Sequence, residues 1–296
     1  MKSFIVSAPQ SVSLLGDYSS YFQKPSLCLA VSPRVTVSFS SSKKGLQLKN
    51  SGSVSLQKAC WLTEQAFDQF QQQGLVADFD VNLSLETIVP CLLKGTGEAF
   101  SLKWSKRKLF EMSNQLLSEL LGAAFQPERS AAAIWGGTVF LNFTEEKAEV
   151  EPLKIKEFPG IFLQQSAKKR NTYKAVTEKN KEHPQTVTYL ISRMGRLAEQ
   201  GKIVLEQNQW ERLGTLMARH QRLLHNLAFT SDKLHALCVT ATLHGACGAK
   251  GWIAPEGEYV LAITSDAKSQ ETVKNNLKDS GKLLFPEKQG LAVVKD

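Results

Sequence analysis

The hydrophobic period of this chain switches repeatedly between two and about 3.6 residues, and the order of the switches is what most restricts its fold. Alternation at period two runs through "KSFIVSA", "PSLCLAVSPRVTVSFSSS" and "GLQLKNSGSVSL", predicting short strands to about residue 58. The stretch "LQKACWLTEQAFDQFQQQGL" then places Leu56, Ala59, Cys60, Ala66, Phe67 and Phe70 near one helical face and stops at Gly74. "DFDVNLSLETIVP" alternates again and reads as a strand. Residues 98–121 return to the helical period, with Leu109, Met112, Leu116, Leu117, Leu120 and Leu121 as apolar stripes and Ser105 placed to cap a second helix. "AAAIWGGTVFLNF" ends this half with a turn into a strand. Such interleaving calls for an α+β fold.

The charged segment "TEEKAEVEPLKIKEFPG" reads as a connection, which divides the 296 residues into domains 1–152 and 153–296. The second half opens on the strand "IFLQQ" and continues through helices at 185–200 and 210–227, with Thr186 and Asn208 as candidate caps. A further helix in "SDKLHALCVTATLHGACGAK" is ended by glycine. The strands "WIAPEGEYVLAIT" and "KLLFPEKQGLAVV" then flank a helix around 267–279. This order fits a βαββαβ unit, an antiparallel sheet with helices on one face.

Charge and cysteine usage narrow the function classes. The formal net charge is +8, yet the densest basic clusters, "KWSKRK" at 103–108 and a second at 168–170, are short and lack the aromatic interleaving of single-strand binders. They read as solvated faces, and no nucleic-acid partner is expected. Five cysteines (Cys28, Cys60, Cys91, Cys238, Cys247) are scattered with no C-x-x-C pair, which argues against a disulfide scaffold and against zinc. No segment approaches 18 continuous apolar residues and no signal-peptide pattern opens the chain, so no membrane partner and a cytoplasmic location are expected. His220 and His225, five apart in a helical stretch, read as ordinary, partly exposed helix histidines.

Several stretches together resemble the GHMP kinase superfamily, and most of all its mevalonate kinases. Ala8, Pro9, Leu15, Gly16, Asp17, Tyr21, Lys24, Pro25 and Ala30 follow the family's opening frame "APGK...GEH..Y..PA". "KKRNTYKAV" is similar to the "RNTK.LV" element, and "LGTLMARHQRLLHNLAFTSDKLHAL" to the family's later helices. "ATLHGACGAKGWIAPEGEYVLAI" keeps the frame of the last glycine-rich motif without its consecutive glycines. The resemblance covers most of the chain. It implies a two-domain fold, with an N-terminal half like domain 2 of ribosomal protein S5 and a ferredoxin-like C-terminal half, and with Mg-ATP as cofactor of an active enzyme.

Phosphoryl transfer is chiefly positioning and charge neutralisation, so the implied positions can be checked by chemistry. The family's "GLGSSAA" phosphate loop corresponds to "GTGEAFS": Gly95 and Gly97 are expected to keep a tight turn opening a helix, with Thr96, Glu98 and Ala99 as the rest of the nucleotide-binding set. Ala99 has no oxygen for a metal, and an unpaired Glu98 repels a triphosphate by about 4 kcal/mol at 4 Å in a mid-range dielectric. The catalytic aspartate position falls on Arg129 or the adjacent Ser130, and arginine cannot accept a proton. Gln10 stands at the lysine position. Glu119 lies near the family's metal-binding glutamate and is the candidate Mg²⁺ ligand. Asp17, Tyr18, Thr172, Gly248 and Lys250 form the implied substrate-binding set, while "PEGE" also reads as a plain hairpin turn.

The resemblance therefore implies ATP-dependent phosphorylation of mevalonate or a related small alcohol. Loss of the lysine, the metal-binding serine and the catalytic acid, each on the order of 10²-fold in rate, argues instead for a pseudokinase that binds a metabolite, nucleotide or protein partner. A third reading is an interaction protein with a vestigial pocket. A small-molecule ligand is the expected partner, and a homodimer is compatible with the sequence.

Overall fold

The computed structural model describes residues 3–49, 53–71, 73–79, 84–122, 125–145, 147–155, 158, 160–168, 172–254, 257–277 and 281–295, with side chains left out at 167–168, 172–176, 254 and 295. The chain divides into two compact units, Met1–Ser11 with Ala30–Gly137 and Glu287–Asp296, and Val12–Leu29 with Thr138–Pro286. The architecture is α+β, as the alternating periods require.

The first sheet has the order β11-β1-β2-β4-β3, where β1 is Phe4–Leu15, β2 Ser26–Ser42, β3 Leu46–Leu48, β4 Gly74–Asp78 and β11 Ala292–Lys295; β5 (Thr138–Thr144) joins β2 and β6 (Lys147–Leu153) joins β5. The segment read as a connection is corrected in part: Thr144 ends β5 and Lys147–Leu153 is β6, antiparallel to it. The expected strand "KLLFPEKQGLAVV" is two strands, β10 (Lys282–Leu284) and β11, and β11 pairs antiparallel with β1 from Phe4↔Lys295 to Ser7↔Ala292. The Pro-Glu-Lys-Gln-Gly stretch between them supplies no alternation and breaks the run.

In the first unit, α1 (Val54–Gln65), α2 (Leu85–Ala99), α3 (Lys106–Leu121) and α4 (Pro127–Trp135) pack on one another. Ser105 caps α3 as expected, its Oγ accepting from the Lys108 N–H at 3.1 Å. The expected strand "DFDVNLSLETIVP" is corrected: the strand is β4, and from Leu85 the chain is helical. Ile88, Val89, Cys91, Leu92 and Leu93 are all buried, and this near-continuous apolar run hides the helical period. β1 runs unbroken through Ala8–Pro9.

In the second unit, β7 (Gly160–Lys168), β8 (Gly248–Ala254), β9 (Gly257–Thr264) and β10 form an antiparallel sheet of order β10-β7-β9-β8. Numbered within the sheet this is 4-1-3-2, the ferredoxin-like order. Its helices are α5 (Thr172–Glu182), α6 (Pro184–Glu206), α7 (Trp210–Asn226), α8 (Asp232–Leu243) and α9 (Ala267–Asn276). Phe162, Ala249, Val260 and Ala262 of the sheet pack with Leu234, Cys238, Ala241, Val273 and Leu277 of α8, α9 and its C-cap in one core. Thr186 is no cap, because α6 starts two residues earlier with Pro184 at its first turn, and Asn208 sits at φ 54° before the N-cap Gln209. Pro255 and Glu256 of "PEGE" lie outside the described residues, but Ala254 pairs with Gly257, so β8 and β9 form a hairpin.

Candidate functional site

The turn after β1 brings three ionisable side chains together inside the second unit. Gly16 adopts φ 79°, and a Cβ there would lie 2.6 Å from the Pro25 carbonyl oxygen, so glycine is required on both counts. Its geometry turns Asp17 inward, where the carboxylate Oδ2 accepts from Lys250 Nζ at 2.7 Å. Lys250 projects from β8, is fully buried, and also donates to the Ser13 carbonyl at 3.0 Å. Charge-assisted bonds of this kind are what allow a lysine to remain in a protein interior.

His220, on α7, completes the cluster in an unexpected way. It is fully buried rather than partly exposed, and its Nε2 accepts from the Gly16 N–H at 2.9 Å. A ring nitrogen that accepts carries no proton, so the imidazole is the neutral Nδ1–H tautomer and its 3.6 Å approach to Asp17 is not an ion pair. Burial, opposed by the Asp17 carboxylate and reinforced by the Lys250 charge, lowers its pKa to about 3. The neighbouring Gln221 accepts from the Gly251 N–H at 2.7 Å and donates to Thr230 Oγ1 at 3.2 Å.

These residues tie β1, α7 and β8 together and do not open onto solvent. Tyr18 is buried at φ 64° with its ring edge-on to Phe229. Gly248 is packed against α7: a Cβ there would meet the Gly214 Cα at 2.2 Å. Asp17, Tyr18, Gly248 and Lys250 are thus held in packing and pairing. Thr172 begins α5, and its side chain lies outside the described residues.

The positions implied for phosphate handling lie in the first unit. Residues 95–99 are the last turns of α2 and not a loop before a helix, which corrects the expected tight turn. Gly95 is bare because a Cβ would come within 2.2 Å of the Phe39 ring, and Gly97 because one would come within 2.9 Å of Trp104. Thr96 is buried and its hydroxyl donates back to the Leu92 carbonyl at 2.9 Å. Glu98 lies 4.0 Å from Lys94, and Ala99 is the final helical residue. The N–H groups of a helix that attract an anion are at its other end.

That other end carries a carboxylate of its own. Glu86, in the first turn of α2 and 4% exposed, accepts from Ser84 Oγ and lies 3.8 Å from Arg129 Nη1. Arg129, on the first turn of α4, is likewise 4% exposed. Its charge is met from within the chain. Beside it, Ser130 Oγ donates to Asn114 Oδ1 at 3.1 Å, so α3 and α4 also face one another through neutral groups. Glu119 is on the exposed face of α3, opposite Leu109, Phe110, Ser113, Leu116 and Leu117. Gln10 is a half-buried residue within β1.

No protein-family model matches the chain. A mevalonate kinase from Pyrococcus furiosus is 23% identical over 310 aligned positions, covering 90% of each chain. The crystal structure of L. major mevalonate kinase in complex with R-mevalonate matches at a TM-score of 0.76, with 14% identity and 96% of each chain covered. Lactococcus lactis galactokinase complexed with galactose matches at 0.79, with 11% identity over 98% of this chain and 95% of that one. The chain has the GHMP kinase fold.

Within that fold, the residues assigned to Mg-ATP do not fit it. The glycines are inside a helix, Glu119 is on the solvent face of α3, and Arg129 is paired with Glu86. Among the described residues no group of three His, Cys, Asp or Glu side chains is placed to hold a metal ion. Sequence reasoning missed Glu86 altogether, because it sits in a segment read as a strand. It also missed two R-x-x-R pairs, Arg193 with Arg196 and Arg219 with Arg222, whose spacing puts each pair on one helical face.

Proposed function

We propose that this chain is a mevalonate kinase-like protein that has lost phosphoryl transfer and acts by binding. The observation that carries this reading is the buried Glu86–Arg129 pair. It sets an internal carboxylate at a helix N-terminus, where a phosphate would be attracted, and an arginine at the implied position of the catalytic acid. Breaking this buried pair to admit a substrate costs about 3–5 kcal/mol. Among the described residues no group of three His, Cys, Asp or Glu side chains is placed to hold a metal in compensation.

A second reading, a working ATP-dependent kinase of a small alcohol, is favoured by the alignment with a mevalonate kinase over nine-tenths of both chains. A coupled ADP-release assay with Mg-ATP and either mevalonate or phosphomevalonate separates the two. The binding reading expects no release above the substrate-free background. Substrate-dependent turnover near one per second that Arg129→Met or Glu86→Gln abolishes would refute it. The kinase reading fails if millimolar Mg-ATP leaves the melting temperature unchanged.

A further inference from the structure

We propose that the groove between α6 and α7 binds a nucleoside di- or triphosphate, at a site separate from the buried Asp17 cluster and from the α2–α4 positions. Its cavity, about 660 Å³, is lined by Arg193 and Arg196 from α6 and by Arg219 and Arg222 from α7, over a floor that includes Leu197 and Leu223. This volume is in the range of small-molecule sites.

The four guanidinium groups are exposed, and no hydrogen bond or ion pair to an acidic side chain is found for any of them among the described residues. Two like charges 8 Å apart repel by about 0.5 kcal/mol even in bulk water, and more in a groove walled by helices. No acidic side chain among the described residues offsets this repulsion, whereas an anion with several oxygens relieves it. Arginine forks pair bidentately with phosphate, and four of them match two or three phosphate groups better than a single carboxylate.

The rest of the ligand is indicated by Tyr189. Its ring is 56% exposed, lines the arginine groove, and has the Arg193 guanidinium 5.8 Å from its centroid. It also lines a second hollow along α6, with Pro184, Gln185, Thr188 and Ser192, that contains no charged side chain. An anionic head therefore adjoins an aromatic face and a shallow, mainly apolar hollow. A planar base that stacks on Tyr189 and extends over this apolar hollow fits that sequence of surfaces. The four arginines share one groove of about 660 Å³, a volume that suits a small polyanion rather than a nucleic-acid strand.

The test is titration calorimetry of the full chain in metal-free buffer with ADP, pyrophosphate and adenosine. ADP is expected to bind at micromolar to sub-millimolar concentration, pyrophosphate more weakly and adenosine not at all, with affinity falling as salt rises. Arg196→Ser combined with Arg222→Ser should weaken ADP and pyrophosphate at least tenfold without changing the melting temperature, since both side chains are exposed. Tyr189→Ala should weaken ADP and leave pyrophosphate unchanged. The proposal is overturned if ADP does not bind at 1 mM, if the double arginine variant binds it as well as the parent, or if an oligonucleotide or an acidic peptide competes at lower concentration than ADP.

Discussion

Replacing Lys250 by methionine isolates what the buried cluster contributes. The substitution keeps most of the side chain's volume and removes the ammonium that donates to Asp17 at 2.7 Å. Asp17, with a side chain 6% exposed, is left facing His220 Nε2, a lone pair already engaged by the Gly16 N–H at 2.9 Å. No donor takes the place of Lys250. Leaving one member of a buried pair uncompensated costs about 3–5 kcal/mol, and for a cooperative unit of roughly 150–250 residues 4 kcal/mol lowers the melting temperature by roughly 8–16 °C. Urea unfolding followed by circular dichroism measures the loss. Adding Asp17→Asn removes the stranded charge, so the double variant should recover about 2 kcal/mol of it. A single-variant cost below about 1 kcal/mol, or a double variant no more stable than the single, would refute the assignment of an ion pair that braces β1 against β8.

Three further outcomes are expected. His220 stays unprotonated in the folded chain down to about pH 3 but takes a proton below about 6.5 when unfolded, so stability falls as pH drops from 6.5 towards 3, by up to about 1.4 kcal/mol per unit. Urea titrations at pH 7 and pH 5 measure this, and His220→Gln, whose amide oxygen can accept from Gly16, should flatten the dependence. Gly95→Ala should destabilise the chain by about 1–2 kcal/mol, because overpacking against Phe39 outweighs the helix preference for alanine; unchanged unfolding would restore the loop reading of residues 95–99. Burial raises the thiols of Cys60, Cys91 and Cys238 to about 12, and Cys28 is also buried, so a thiol reagent at pH 8 should titrate Cys247 alone in the native protein and all five in denaturant.

The second unit was the more legible in sequence. Its helices are long and amphipathic, Ala254 pairs with Gly257, and the order of periods led to the ferredoxin-like sheet. In the first unit, the Ser105 cap was readable from a local rule. The misreading of α2 has a definite cause: Pro90, Gly95 and Gly97 all disfavour a helix, and burial around most of its circumference erased the amphipathic signal. Tertiary packing, visible at Phe39 and Trp104, overrides both. The pairings of Lys250 with Asp17 and of Arg129 with Glu86 join residues 233 and 43 positions apart, and no spacing rule connects them. The four-arginine groove needed the α6–α7 packing to bring two ordinary-looking R-x-x-R pairs face to face.

The pairing of β11 with β1 also has a temporal meaning. Residues 292–295 are made about 290 positions after residues 4–7, so one edge of the first sheet stays open throughout that interval. An unpaired strand edge is a template for association with other chains. Nascent chains, and fragments cut at residue 152, would carry this edge bare, and their yield should depend on a chaperone or on residues 292–295 supplied as a separate peptide.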